Sequence, residues 1–137
     1  MKYAGKEVRA AIIEELSDIV IDGVTIPVYN YPQGAKPPMI LVTNQIQYQS
    51  ETKDDICAYG SLLVRCVTAY DMGEAGEVMA DAMASAVSEK LTNQVYMTDN
   101  FITDIMYIES NEGTSNLNQT EIVIIRQLQL RLFIQQL

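Results

Sequence analysis

The chain has 137 residues, 48% of them hydrophobic, the size and composition of one globular domain with a single core. Eighteen acidic residues against nine basic ones leave a formal net charge of −9, and the cations are scattered, which argues against a nucleic-acid binder built on a basic cluster. Histidine is absent, so Ser-His-Asp and Cys-His nucleophilic chemistry are excluded and the commonest metal ligand is missing. No apolar run approaches the roughly 20 residues that cross a bilayer, and the first nine residues, with Lys2, Lys6 and Arg9, lead into an amphipathic stretch rather than a signal segment. A soluble, non-exported chain is the expectation.

In chain order, Val8, Ala11, Ile12, Leu16 and Ile19 recur at helical spacing, with Arg9, Glu14, Glu15 and Asp18 largely off that stripe. This predicts a first helix ending near Asp18, before the β-branched Ile19, Val20 and Ile21 and the turn signal Asp22-Gly23. A short strand is expected over 24–29. The run from Tyr31 to Pro38 holds Pro32, Gly34, Pro37 and Pro38 and predicts a structured loop. Over 39–49, Ile40, Val42, Ile46 and Tyr48 share one parity and Thr43, Gln45, Gln47 and Gln49 the other, as in a strand with one buried face; Asn44 breaks the apolar parity. Residues 50–55 are polar and 58–70 are apolar and β-rich, so the two runs read as a hairpin with an extended tip.

Asp71 followed by Glu74 is a capping-box-like start for a second helix. Its apolar stripe is Ala75, Val78, Met79, Ala82, Met83, Ala86, Val87 and Leu91, Lys90 suits the negative end of its dipole, and Thr92-Asn93 begins the exit. Two strands, 101–109 and 121–135, lie on either side of a polar connector over 110–119. In the last strand the even positions from Ile122 to Ile134 are apolar, interrupted by Arg126. The order helix, three strands, helix, two strands implies an α+β fold: an antiparallel sheet of about five strands covered on one face by two helices.

Candidate chemistry is sparse. Gly73 and Gly76 lack phosphate-loop spacing and fit the helix start. Cys57 and Cys66, nine residues apart near one strand, are expected as free thiols in a reducing compartment, without the spacing of a zinc site. Asp54-Asp55 reads as a charged turn, and Glu109 with Glu112 is too loose for an acid and base pair or a calcium loop. Met79 and Met83 are helix-core positions, and Met39, Met97 and Met106 read as gap fillers. No enzyme activity, cofactor or metal is expected. Eight tyrosines without tryptophan favour some protein contacts. Arg126 has two readings, a pair with a carboxylate at the core edge or a subunit contact where the last strand leaves its domain, the second slightly preferred.

The run Val28-Tyr29-Asn30-Tyr31-Pro32-Gln33-Gly34-Ala35, then Pro37-Pro38-Met39-Ile40-Leu41-Val42, resembles the tail-completion pattern of tailed bacteriophages. There an early helix, a short strand, a Pro-containing loop and a proline-led apolar strand entry precede a long hairpin strand and a helix. The segment 69–91, an aromatic-acidic strand end and an Ala-rich helix, is similar to that helix. The resemblance to tail-terminator and tail-completion proteins spans about residues 8–135. It implies a virion structural protein forming a ring of six or twelve copies in the neck or at the head-proximal end of the tail. The partners implied are further copies and adjoining neck, portal-side or tail-tube proteins, with DNA only passing through and no membrane.

Length, glutamine content and position make the hairpin tip and the last strand the expected subunit contacts: Gln47, Gln49, Glu51, Asp54 and Asp55, and Arg126, Gln127, Gln129 and Arg131. The acidity is either an ordinary solvated surface or a channel wall that DNA slides past. A rival reading is a small-ligand or peptide-binding α+β accessory domain with a pocket lined by methionine and tyrosine.

Overall fold

The computed structural model describes residues 3–31, 34–49, 57–71, 77–116 and 121–137. Helix α1 (Gly5–Leu16) forms where the apolar spacing places it, with Val8, Ile12 and Leu16 buried along one stripe. It ends two residues short of Asp18, and Ser17 there donates its hydroxyl to the carbonyl of Ile13 (2.6 Å). The β-branched residues after it make β1 (Val20–Ile21), which turns back into β2 (Val24–Thr25). Asp22 and Gly23 supply the two positive φ values, 51° and 78°, that a two-residue hairpin turn of this hand requires.

The single strand expected over 24–29 is divided by Pro27, which has no N–H to give a ladder. Ile26 turns fully into the core, donating its N–H to the Ile19 carbonyl (2.9 Å). Beyond it β3 (Val28–Tyr29) joins the main sheet in parallel with β4 (Met39–Gln49), and the Pro27 carbonyl accepts from the Ile40 N–H (2.9 Å). The remaining elements are β5 (Cys57–Asp71), α2 (Glu77–Leu91), β6 (Val95–Met97), β7 (Phe101–Asn116) and β8 (Glu121–Gln136).

The main sheet therefore has six described strands rather than about five, in the order β3-β4-β5-β8-β7-β6, with a separate two-stranded ribbon of β1 and β2. All neighbours except β3 and β4 are antiparallel. Strand β6 is a three-residue run that composition does not mark. It returns into β7 through a tight turn in which the Thr98 N–H meets the Phe101 carbonyl (2.9 Å) and the Phe101 N–H meets the Thr98 hydroxyl (3.2 Å). The polar stretch expected as a connector continues β7 to Asn116, because the ladder with β8 runs from Phe101 opposite Gln136 to Asn116 opposite Ile122. Asp71 is the last residue of β5, opposite Glu121; α2 is described from Glu77, and the helix start expected after Asp71, with Gly73, Glu74 and Gly76, lies outside the described residues. The exit of α2 is as expected, with Asn93 in the left-handed region (φ 58°) and the Thr92 N–H and hydroxyl both donating to the Ser88 carbonyl.

Both helices lie on one face of the sheet. Val8, Ile12 and Leu16 of α1 and Met83, Val87 and Leu91 of α2 share a core with Ile40, Val42, Leu62, Val64, Leu130 and Leu132. Truncating any such fully buried side chain to alanine costs about 2–5 kcal/mol. The helices are tied together at their ends by Lys90, whose ammonium lies 2.7 Å from the Asp18 carboxylate. Each partner holds the other charged: hydrogen bonding to Lys90 lowers the Asp18 pKa, and hydrogen bonding to Asp18 raises that of Lys90.

One irregularity resets the face of β4. Between Thr43, opposite Leu63, and Ile46, opposite Ser61, β4 takes three steps while β5 takes two, a bulge. The extra residue inverts the parity of the rest of the strand, so positions 46 and 48 no longer continue the register of Ile40 and Val42 as the simple alternation predicted. Gln47 thus pairs with Gly60 on the helix-covered side, and its amide oxygen accepts from the Ala4 N–H (2.8 Å).

Candidate functional site on the open sheet face

The opposite face of the sheet has no helix against it among the described residues, and its composition comes from the pleat. Odd positions of β5 and β8 point here, so Tyr59, Leu63 and Arg65 stand beside Phe133, Gln129 and Gln127, and Arg131 beside Ser61. A second bulge, between Ile105 and Tyr107 of β7, brings Tyr107 opposite Arg131 and Glu109 opposite Gln129. A polar band of Arg65, Gln127, Gln129, Glu109 and Arg131 results, crossing the middle of three strands.

Two apolar zones flank that band. At one end Met39, Leu41, Val67 and Val123 form a small cluster with Tyr29, Ala35, Ala69 and Ile125 against it. The proline-rich loop overhangs it and leaves a hollow of about 540 Å³ lined by Ala35, Lys36, Pro37, Met39, Val67 and Val123. At the other end the Tyr59 and Phe133 rings meet at 5.3 Å, tilted by 51°. Near them Val95, Met97, Met106 and Tyr107 are exposed, Met97 by 72%. Met97 and Met106 are therefore surface residues and not the gap fillers their strand positions suggested; their pairing with the bulge and with β6 is not visible in spacing alone.

The electrostatics of the two sides differ. Glu14, Glu77, Asp81 and Glu89 are exposed on the helices and Asp18 just after α1, whereas the described charges of the open face are of both signs, Lys36, Arg65 and Arg131 with Asp104 and Glu109. On the open face the Arg131 Nε stands 3.5 Å from the Glu109 carboxylate without a hydrogen bond, and the Arg65 Nε is buried with no hydrogen-bond partner.

The residues expected as subunit contacts separate accordingly. Gln127, Gln129 and Arg131 come together on the open face. Arg126 does not: it occupies an inner position opposite Cys66, is 9% exposed, and its Nε donates to the Asp81 carboxylate of α2 at 2.9 Å. That is the first of its two readings, the pair at the core edge, and it explains the break in the apolar parity of β8. Gln47 is turned to the helix side by the bulge, and Gln49 ends β4 opposite Ala58. Glu51, Asp54 and Asp55 lie outside the described residues.

The other chemical candidates resolve simply. In the ladder Glu109 stands opposite Gln129 and Glu112 opposite Arg126. Cys57 and Cys66 are free, and burial pushes the Cys66 thiol up to about 12. No group of three or more metal-ligating side chains occurs among the described residues, and no described helix is long and apolar enough to cross a membrane.

The same architecture is found in a chain of a solved structure titled "Virion of native gene transfer agent (GTA) particle", with a TM-score of 0.59 and 15% sequence identity. The alignment covers 95% of this chain and 99% of that one. The two chains share a fold. At that identity the likeness is of architecture, and it spans nearly the whole of both chains rather than a fragment of either. No family model matches the sequence, and no curated protein does.

Proposed function

We propose that this chain is a structural protein of a phage-like virion, one subunit of a ring in the neck or at the head-proximal end of the tail, joining head to tail around the DNA path. The observation that carries this reading is the end-to-end fold likeness to a chain of the gene transfer agent virion. The two unlike sides of the molecule support it, because a ring built head to tail needs different surfaces on one subunit. The protein works through those surfaces, with no reaction of its own and no cofactor. Its partners are further copies and the adjoining neck, portal-side or tail-tube proteins, and DNA is a passing cargo.

Native mass spectrometry with negative-stain microscopy of the purified full chain tests this. Closed rings of six or twelve copies that grow with concentration are expected; a monomer at every concentration would refute the ring. The hollow of about 540 Å³ under the proline-rich loop favours a second reading, a module that takes a small apolar ligand or peptide side chain. In that case the monomer would show a ligand-dependent rise in melting temperature.

A further inference from the structure

The main sheet has two long edges that its own short strands leave open. Strand β3 pairs only with Ile40 and Leu41 of β4, and β6 only with Ile102, Thr103 and Asp104 of β7. Among the described residues no strand lies beside β4 over 42–49 or beside β7 over 106–116. Unpaired edges of this length invite another strand, and proteins that must stay apart guard them with lysine or proline. Neither stretch contains either residue.

The two edges also fit each other. β4 is antiparallel to β5, β5 to β8 and β8 to β7, so β7 of one copy set beside β4 of the next would continue the antiparallel alternation without a break. Their open stretches are offset along the strands: the ladder through β5 and β8 places the centre of the β4 stretch level with Tyr107, and the centre of the β7 stretch about four residues further on. Such an offset, about 13 Å over four strands spanning about 19 Å, tilts the strands by about 35° to the ring axis, at the edge of the range of closed barrels. Each open stretch begins near a bulge, a device that curls a sheet toward closure.

We propose, on the ring reading above, that the ring closes by β-strand addition, with the β7 edge of each copy pairing antiparallel with the β4 edge of the next to make one continuous barrel. Four strands from each of six copies give a barrel about 45 Å across between backbones, and twelve copies about twice that. Six leaves a lumen that fits a DNA double helix closely once side chains are counted. The helices then lie outside, because the lumen has no space for a helix layer and a duplex together. The open face lines the channel, with Arg65, Gln127, Gln129 and Arg131 toward the DNA. The described charges of this wall are of both signs, Arg65 and Arg131 with Asp104 and Glu109.

Hydrogen exchange read by mass spectrometry on the full chain, as dilute protomer and as concentrated assembly, tests the pairing, with native mass spectrometry reporting assembly state. On assembly, amide exchange over 42–49 and 106–116 should slow at least about tenfold, while α1 and α2 change little. Rings that form while both edges exchange as fast as in the protomer overturn edge pairing and leave the ring reading standing. A chain that never assembles overturns the ring reading and this inference with it.

Discussion

Cys57 and Cys66 illustrate how position on a strand decides reactivity. They lie nine residues apart on β5, Cys57 half-buried and Cys66 fully buried beneath the helices, where loss of water pushes its thiol up to about 12. A thiol reagent near neutral pH should therefore add one label per native chain, at Cys57, and two per denatured chain, as read by intact mass. Equal labelling of both in the native state would mean that β5 opens. Arg126 is the other instructive residue. Its guanidinium is mostly buried and meets the Asp81 carboxylate, which is itself largely exposed. Asp81→Asn should lower stability by about 1 kcal/mol, less than the roughly 3–5 kcal/mol of a fully buried pair, because water screens the exposed partner. The urea midpoint reads this, and Asp81→Ala should behave alike.

At the scale of elements, the two most useful contacts are those that hold helices to their neighbours. Gln47 reaches from β4 to the Ala4 N–H at the entry of α1, and it can do so only because the bulge at 43–46 turns it inward. Gln47→Ala should cost about 1 kcal/mol in thermal or urea unfolding, and hydrogen exchange should rise in the first turn of α1 ahead of the rest of the chain. The pair Lys90–Asp18 fastens the end of α2 to the turn after α1. The folded-state pKa of Asp18 lies below its unfolded value, so the pair's contribution is complete above the ordinary carboxylate range and is lost as pH falls through the lowered pKa. For Lys90 the folded value is raised, so the same contribution is present below about 10.5 and fades as pH rises beyond it. Asp18→Asn should thus lower the melting temperature slightly at pH 7, and the difference should shrink as pH falls through the lowered pKa of Asp18.

At the scale of the whole molecule, charge and assembly oppose one another. A net charge of −9 on every copy repels its neighbours, while backbone pairing and exposed apolar side chains such as Met106 and Tyr107 draw them together. Raising salt from about 0.05 to 0.5 M shortens the screening length from over 10 Å to under 5 Å and should strengthen self-association, as seen by sedimentation. Weakening with salt would show instead that ion pairs between copies dominate.

The two helices, the proline-rich loop, the β4–β5 hairpin and the α+β class were legible in the sequence, because each rests on local periodicity or on residues that restrict the backbone by themselves. The apolar spacing of α1 and the Asp22-Gly23 turn are of this kind. The features beyond reach depend on partners far along the chain. A polar stretch after Glu109 becomes strand because β8 lies beside it. The short β6 exists only as an edge of β7, and Gln47 and Arg126 face the helices because a bulge and an acid on α2 place them there. Local preferences amount to tenths of a kcal/mol per residue, whereas a shared ladder or a buried pair is worth more, so composition alone determined which elements can form and only the folded chain decided where they end and which face is left open.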